Sequence, residues 1–338
     1  MKKAALIYNP ASGRQHGRRM AQIEAAARVL HNTGVETIIA ASKGPGEAGA
    51  QAQQMIADGC DSILACGGDG TIHDVIQGMV YSQAAVGIIP LGTANALAHD
   101  LGVPRNPVAA ARLALTAERR RVAVGKVTFN KTDSESQTRY FIVAAGVGVD
   151  AHLFYRIHSR LKQRMGMKAY YAEAFHLWFT HELSRFEVEL TDPYGNTRRE
   201  SVSQMLAVRI TQFGGVLRKL APGAALDRND VQVLLFRTSS RVPYLLYLIK
   251  TLLRGDMPVP GVELVHTSRL TCRPLTSGNG ATARIYAEAD GELLGKLPVE
   301  ITVVPRALTL LVPQSLAMER LQDKLLVSAA PPVGDAIS

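Results

Sequence analysis

The chain has 338 residues, of which 47% are hydrophobic and 20% charged, a balance typical of folded globular proteins with room for two domains. Its three cysteines are odd in number and have no metal-ligand spacing, which argues against disulfides or zinc and favours a reducing, cytoplasmic compartment. The formal net charge of +9 favours anionic partners such as a nucleotide or a phospholipid surface, and since no nucleic-acid-binding motif is present we expect no nucleic-acid partner.

The first 120 or so residues alternate between short apolar runs and longer amphipathic segments. The runs read AALIY, VETIIAA, SILAC and AVGIIP, and Gly34 and Gly59 stand where two of the intervening helices would end in a left-handed cap. This alternation predicts a nucleotide-binding α/β domain over residues 1–121, with a parallel βαβ sheet covered by helices on both faces. Ligands of such sheets bind beyond the carboxyl ends of the strands.

Three glycine-containing turns follow predicted strands at that edge. They are NPASG (residues 9–13), GGDGT (residues 67–71) and PLGTAN (residues 90–95). Because glycine costs about 1 kcal/mol relative to alanine in regular structure, its use here indicates a ligand that approaches the main chain closely. The backbone N–H groups of the three turns would together cradle phosphate oxygens, although neither of the common nucleotide fingerprints is present.

Carboxylates stand in one of these three turns and around a further glycine, Gly291. Asp69 in the second turn would repel a phosphate unless a divalent cation lay between them, so we predict that it belongs to a magnesium–nucleotide network. A turn-forming or helix-capping role is the alternative. Asp290 and Glu292 flank Gly291 farther along, where a carboxylate could take the proton of an alcohol that attacks a γ-phosphate, although DGE is also a common hairpin turn.

Beyond residue 121 the strand-like segments follow one another through turns, which predicts a mostly antiparallel β-sandwich over residues 122–313. A helical insertion at residues 151–181 and a polar loop at residues 130–138 interrupt the series. We expect residues 314–327 to form a helix that packs back on the first domain, and residues 328–338 to be disordered.

No uncharged run reaches the roughly 18 residues that a membrane span needs, so we expect none. The segment RVPYLLYLIKTLLRG (residues 241–255) is strongly apolar with basic ends. It could lie in a bilayer interface, or it could be a helix that packs on a sheet as part of the core.

Taken together, these motifs resemble the diacylglycerol kinase catalytic family, in its bacterial branch of soluble lipid kinases related to sphingosine kinases. The resemblance runs from residue 2 to about residue 313 and includes the ordered segments NPASG, GGDGTIHDVIQG, PLGTANALAHDLG, FIVAAGVGVDAH, LAPGAALD and AEADGELLG. It implies a first domain like that of NAD kinases and phosphofructokinases. It also implies transfer of the ATP γ-phosphate to a lipid alcohol, with Mg²⁺, in a cleft between the domains and at the inner face of the membrane.

The resemblance also assigns roles to residues by position. The catalytic motif comprises Asp290 and Glu292, either of which could be the base, and Asp69 is placed with Mg²⁺ and ATP. The nucleotide-binding positions are Asn9, Ser12, Gly13, Ser42, Gly67, Gly68, Asp69, Gly70, Thr71, Gly92, Thr93 and Asn95.

The chain departs from the family pattern at three positions. Ala96 and Ala123 stand where family members often have acidic residues. Arg228 replaces an aspartate that would help to hold a structural cation, so a second metal site would depend on Asp227 or Asp230, or the guanidinium would fill the cation's place. We expect no metal there.

Two alternatives to a lipid kinase remain: an NAD-kinase-like phosphotransferase and a nucleotide- or lipid-binding pseudokinase.

Overall fold

A computed structural model describes residues 1–10, 16–44, 46–132, 135–148, 183–192, 194–213, 220–253, 257–275 and 284–314. Several predicted features lie outside the described residues: Ser12, Gly13, the insertion at residues 151–181, the helix at residues 314–327 beyond its first residue, and the tail at residues 328–338.

The elements alternate in the first part of the chain and are mainly strands in the second. The helices are α1 (His16–His31), α2 (Ala48–Ala57), α3 (Asp69–Met79), α4 (Ala96–Asp100), α5 (Pro107–Thr116) and α6 (Val242–Leu253). The strands are β1 (Lys3–Tyr8), β2 (Glu36–Ala41), β3 (Ser62–Gly67), β4 (Ala85–Pro90), β5 (Glu118–Thr132), β6 (Glu135–Phe141), β7 (Ala144–Gly148), β8 (Phe186–Thr191), β9 (Thr197–Val202), β10 (Gln204–Val208), β11 (Val231–Phe236), β12 (Val262–Thr267), β13 (Arg269–Pro274), β14 (Tyr286–Ala289), β15 (Glu292–Lys296) and β16 (Val299–Val312).

The first four strands are parallel and lie in the order β2-β1-β3-β4. Along β1, Ala5 and Ile7 pack in one core with α2 and α3, whereas Ala4 and Leu6 pack on the opposite face with α1 and α5. Helices therefore cover both faces of this sheet, and the predicted parallel βαβ architecture is confirmed. Gly34 and Gly59 have φ values of 85° and 92°, as the predicted left-handed caps require.

Strand β16 extends the parallel sheet into the second half of the chain. It pairs in parallel with β4 and antiparallel with β5 and β13, and β8 and β9 continue the sheet to ten strands together with β6. The sheet therefore contains strands from both sides of residue 121. The domain boundary at that residue stays a prediction. The remaining strands form a second, six-stranded antiparallel sheet in the order β12-β11-β10-β7-β14-β15.

The two sheets enclose a second apolar core, and the predicted antiparallel sandwich is confirmed. Val127 and Ile301 of the first sheet meet Val147 and Val233 of the second in this core. None of the helices in the described ranges combines the length and apolar character that a bilayer crossing requires.

One local prediction is wrong. The described residues of the predicted loop at 130–138 lie in β5 and β6, which pair as far as Asn130 with Ser136 and Thr132 with Glu135. Most residues of β6 are exposed on both faces. Strand residues that face water on both sides can be polar, so their sequence resembles that of a loop.

Candidate active site

The turns that follow the four parallel strands meet at one edge of the sheet. Tyr8 at the end of β1 lies level with Ala41 and Cys66, and Gly67 lies level with Pro90. The amide of Ser42 donates a hydrogen bond to the carbonyl oxygen of Tyr8 at 2.7 Å. The described parts of the predicted nucleotide turns, from Asn9 and Ser42 to the Gly67 and Gly92 turns, are therefore brought together.

Helix α3 begins in the second of these turns. Gly68, the N-cap residue, is extended, with φ −97° and ψ −169°, and as a glycine it provides no side-chain cap. The first N–H groups of a helix have no partner within it, and the helix dipole is positive at this end. A Cβ atom added to Gly70 would meet no atom within 4 Å. The space beside Gly70 in the first turn of α3 is thus open, and a helix N-terminus suits an anion.

The second and third turns touch through their main chains. A Cβ added to Gly92 would lie 2.4 Å from Cα of Gly68, so only glycine fits at this contact. Asn95, which has a left-handed φ of 52°, folds its side chain back on its own turn. Its Oδ1 accepts from the N–H of Gly92 at 3.1 Å and its Nδ2 donates to the Gly92 carbonyl at 2.8 Å, while Thr93 is exposed. The side chain of Asn95 therefore shapes the turn.

Asp69 ties the same two turns together. Its Oδ1 accepts a hydrogen bond from the backbone N–H of Ala96 at 2.7 Å, so the carboxylate caps α4. Burial raises the pKa of Asp69 above its ordinary value; backbone N–H groups oppose this, and the charge of Asp290 adds to it. Asp69 thus has the capping role that sequence analysis held as the alternative, although at α4 and not at its own helix, and it lies within the electrostatic reach of Asp290.

The DGE motif forms a tight hairpin turn that also binds the start of β7. Asp290 and Gly291 have φ values of 48° and 83°, as in the type I′ turns that favour Asp-Gly. The Asp290 carboxylate accepts three backbone N–H groups at 2.9 to 3.0 Å, those of Ile142, Val143 and Ala144. The side chain is only 3% exposed. With His73 as a fourth partner, each carboxylate oxygen has two contacts, which uses its full acceptor capacity.

His73, which sequence analysis missed, lies between the two carboxylates of the motif. Its Nδ1 is 3.3 Å from Oδ2 of Asp290 and its Nε2 is 3.4 Å from Oε2 of Glu292. Burial alone would lower the pKa of His73, but the hydrogen bonds and charges of Asp290 and Glu292 outweigh it and raise the pKa to about 10. His73 is therefore an imidazolium at neutral pH. Glu292 is 40% exposed and is the accessible carboxylate of the pair.

Gln77, one turn after His73, fixes α3 to β6. Its Nε2 donates to the carbonyl of Tyr140 at 2.8 Å, and its Oε1 accepts from the N–H of Tyr140 at 3.0 Å. His73 and Gln77 are four residues apart and so lie on one side of the helix. That spacing is the only signal in the sequence that could have pointed to them, and it does not identify their distant partners.

The residues present fit a magnesium–nucleotide complex. Mg²⁺ is usually held by one or two carboxylates together with substrate phosphates, and Asp69 would supply a carboxylate. Asp69 fits this role because its raised pKa reflects a buried negative charge that a cation would stabilise. No cluster of three or more potential ligand side chains occurs among the residues that the structure describes.

At the candidate second cation site, arginines take the positions near the aspartates. Arg228 binds Asp230 through two hydrogen bonds of 2.5 and 2.6 Å, and His266 lies 3.3 Å from the same carboxylate. A second guanidinium, that of Arg209, which sequence analysis missed, holds the backbone of this loop. Arg209 is fully buried and donates to four backbone carbonyl groups, those of Ala123, Leu226, Arg228 and Asp230.

A wound parallel sheet whose glycine turns lie beside the DGE carboxylates of an antiparallel β-sandwich suits a two-lobed kinase. Comparison with known proteins agrees. The family model of the diacylglycerol kinase catalytic domain matches residues 3–127, and that of the YegS C-terminal NAD kinase beta sandwich-like domain matches residues 142–312. The chain belongs to the diacylglycerol kinase catalytic family and is a kinase-type phosphotransferase, so the family predicted from the motifs is confirmed.

Two curated relatives cover almost the whole chain. A diacylglycerol kinase of Bacillus subtilis (strain 168) is 28% identical over 327 residues, which is 96% of this chain and 100% of the relative. A diacylglycerol kinase of Staphylococcus aureus (strain bovine RF122 / ET3-1) is 26% identical over 324 residues, 95% of each chain.

Two solved structures share the fold. A diacylglycerol kinase from Bacillus anthracis str. Sterne has a TM-score of 0.65 at 18% identity, with 93% of this chain and 98% of that chain covered. Yeast NADH kinase complexed with NADH has a TM-score of 0.50 at 13% identity, with 99% and 90% covered. At these identities the likeness concerns the fold alone.

Proposed function

We propose that this protein is an ATP-dependent lipid kinase that transfers the γ-phosphate to the hydroxyl group of a lipid such as diacylglycerol or a sphingoid base. The observation that carries the proposal is the contact of His73 with both carboxylates of the DGE motif. His73 lies two residues after the GGDGT turn. Its contact with both carboxylates therefore brings this turn, the proposed phosphate-binding turn, close to the DGE motif of the β-sandwich.

In this proposal the nucleotide phosphates lie over the N-terminus of α3, where the amides of the GGDGT turn and the helix dipole stabilise negative charge. Gly70 leaves room for them. Asp69 would hold Mg²⁺, which when bound would neutralise charge on the transferred phosphate.

Glu292 acts as the base that takes the proton of the lipid hydroxyl. Its side chain is 40% exposed, whereas the Asp290 carboxylate is 3% exposed and already has four hydrogen-bond partners. Asp290 is accordingly a positioning residue, which anchors His73 and the start of β7. The imidazolium of His73 in turn orients the Glu292 carboxylate.

The test is phosphate transfer from labelled ATP to three acceptors offered separately: diacylglycerol in mixed micelles, sphingosine in mixed micelles, and NAD. We expect labelled phospholipid and no labelled NADP. Asp69→Asn and Glu292→Gln should each lower kcat by at least about a hundredfold. The matched control Glu24→Gln, on the surface of α1, should leave kcat unchanged. Label that appears only in NADP, or binding of ATP without transfer to any acceptor, would refute the lipid-kinase assignment.

A further inference from the structure

Helix α6 packs on the outer face of the second sheet through one narrow strip of side chains. Tyr244, Tyr247 and Thr251 are its buried residues. The ring of Tyr244 stacks on Phe236 with centroids 3.9 Å apart, and the hydroxyl of Tyr247 donates to the carbonyl of Leu220 at 2.7 Å. These contacts hold the helix without covering its other sides.

The opposite side of α6 is a continuous apolar surface, here called the apolar face of α6. At about 100° per residue its side chains cover an arc of about 160°, close to half of the helix surface. They are exposed by 39% to 77%, and they are Val242, Leu245, Leu246, Leu248, Ile249, Leu252 and Leu253. With Met257 they make up eight of the twelve large exposed apolar side chains in the described ranges. Such a concentration marks an interaction surface.

The charged residues that flank this face along the chain are mostly basic. Arg241 precedes α6, Lys250 lies within it and Arg254 follows it, with Asp256 as the acidic residue before Met257. Lys250 belongs to α6 itself, at the edge of the apolar face, with its Nζ 5.8 Å from the centre of the Tyr247 ring. An apolar helix face with basic residues at its edges is complementary to a bilayer that contains anionic lipids.

The shape of the face favours a bilayer over a second copy of the chain. The helix has 12 residues and is therefore about 18 Å long and about 10 Å wide. A rigid partner would therefore contact only the crest of this single convex helix. A fluid lipid layer, in contrast, can surround a convex half-cylinder on all of its exposed sides.

We propose that the apolar face of α6 docks the protein on an anionic phospholipid surface, with Leu245, Ile249 and Leu252 inserted at the boundary between headgroups and acyl chains. The inference rests on the proposed function, since it names the surface from which a lipid substrate would be taken. Leu206 packs against the apolar cluster beneath α6 and also against the cluster that contains Ala144, whose N–H binds Asp290. Side-chain packing through Leu206 therefore connects α6 with the strand whose N–H binds Asp290.

The test is flotation of the full chain with vesicles of equal parts phosphatidylglycerol and phosphatidylcholine, without nucleotide and without diacylglycerol. The triple substitution Leu245→Gln, Ile249→Gln and Leu252→Gln should lower the partition coefficient at least about tenfold. Lys250→Gln alone should lower it about fivefold. The matched control removes three exposed apolar side chains elsewhere, by Ile39→Gln, Tyr194→Gln and Leu275→Gln, and should bind as the wild type does. Circular dichroism and Tm show that each variant is folded.

Three outcomes would overturn the proposal. Equal flotation of both triple variants would mean that α6 is not the docking surface. A wild type that stays unbound but sediments as a dimer, which the α6 triple variant dissociates, would assign the face to a second copy. A wild type that neither binds vesicles nor dimerises would mean that the chain covers this face itself.

A water-soluble short-chain diacylglycerol separates this proposal from the lipid-kinase assignment, because its phosphorylation requires no docking. Transfer to it without vesicle binding would contradict only the docking proposal. Vesicle binding without transfer to any acceptor would contradict only the kinase assignment.

Discussion

The Nδ1 atom of His73 lies 3.3 Å from Oδ2 of Asp290, although the two residues are 217 positions apart in the chain. This contact joins the helix that begins at the GGDGT turn to the hairpin that carries the DGE motif. Since His73 also reaches Glu292, a single buried cation sets the relative position of the two carboxylates. Substitution of His73 should therefore affect both stability and turnover.

We expect His73→Gln to lower kcat by about ten- to a hundredfold with a smaller effect on KM, because the Glu292 carboxylate loses its orientation. His31→Gln, at the exposed end of α1, is the control. Unchanged kcat in His73→Gln would show that the histidine has no part in positioning the base.

The stability difference between wild type and His73→Gln should depend on pH in a defined direction. The pKa of His73 rises from an ordinary value of 6.5 to about 10 in the folded protein. Its stabilising contribution is therefore complete below pH 6.5 and is lost as the pH rises through about 10. Urea unfolding of both proteins between pH 6 and pH 10 measures the difference, which should shrink as the pH rises, and a constant difference would contradict the charged state of His73.

Asp290→Asn and Glu292→Gln should separate anchoring from catalysis. Asp290→Asn removes the charge that accepts three backbone N–H groups, so we expect the free energy of unfolding to fall by about 2 to 4 kcal/mol together with activity. Glu292→Gln should lose turnover with little change in stability. Denaturant unfolding and kcat are measured on both variants. If Glu292→Gln kept its turnover and Asp290→Asn lost only turnover, Asp290 would be the base and Glu292 would not.

Gly70→Ala should weaken nucleotide binding without harm to the fold. A Cβ at Gly70 meets no protein atom within 4 Å, and alanine favours a helix over glycine by up to about 1 kcal/mol, so Tm should stay the same or rise. We expect the Kd for ATP, measured by calorimetry, to increase at least about tenfold. Gly78→Ala in the same helix is the contrasting variant, because its Cβ would lie 1.9 Å from the Gly49 carbonyl oxygen and should lower Tm.

Arg209→Met should lower the free energy of unfolding by about 3 kcal/mol or more, because four backbone carbonyl groups lose their donors at a buried site. Arg228→Met breaks a partly exposed ion pair and should cost at most about 1 kcal/mol. Denaturant unfolding is measured with Mg²⁺ and with a chelator. A wild type that the chelator destabilises would show that a metal, and not Arg209, organises this loop.

The sequence was sufficient to predict the layered fold. Each of the strands β1 to β4 is a separate apolar run with a helix after it, and local pattern alone distinguishes such segments. It was not sufficient for β16, which pairs in parallel with β4 through Thr309 and Leu310, because strand pairing between distant segments leaves no local signal. The polar hairpin of β5 and β6 was mistaken for a loop for a related reason. Apolar and polar residues alternate along a strand because one face is buried, and the pairing of two exposed strands does not create that pattern.

In the candidate site, the glycine turns could be predicted from the sequence, but the side-chain contacts between them could not. Glycines and carboxylates at strand ends identified the GGDGT and DGE segments, since special backbone geometry restricts the residue types that can stand there. Asp69 was assigned to a cation, yet its carboxylate also caps α4. His73 and Arg209 were overlooked because a histidine in a helix and an arginine after a strand are ordinary in sequence, and only the tertiary structure shows what surrounds them.

The position of β16 bears on how the protein is made. The α/β part ends its parallel sheet at β4, and the strand that covers this edge through Thr309 and Leu310 is translated some 220 residues later. While the ribosome is still extending the chain, β4 presents an unpaired edge that can recruit other strands. Synthesis of the final strand is thus the event that closes the nascent sheet, and truncation before residue 309 should yield insoluble product.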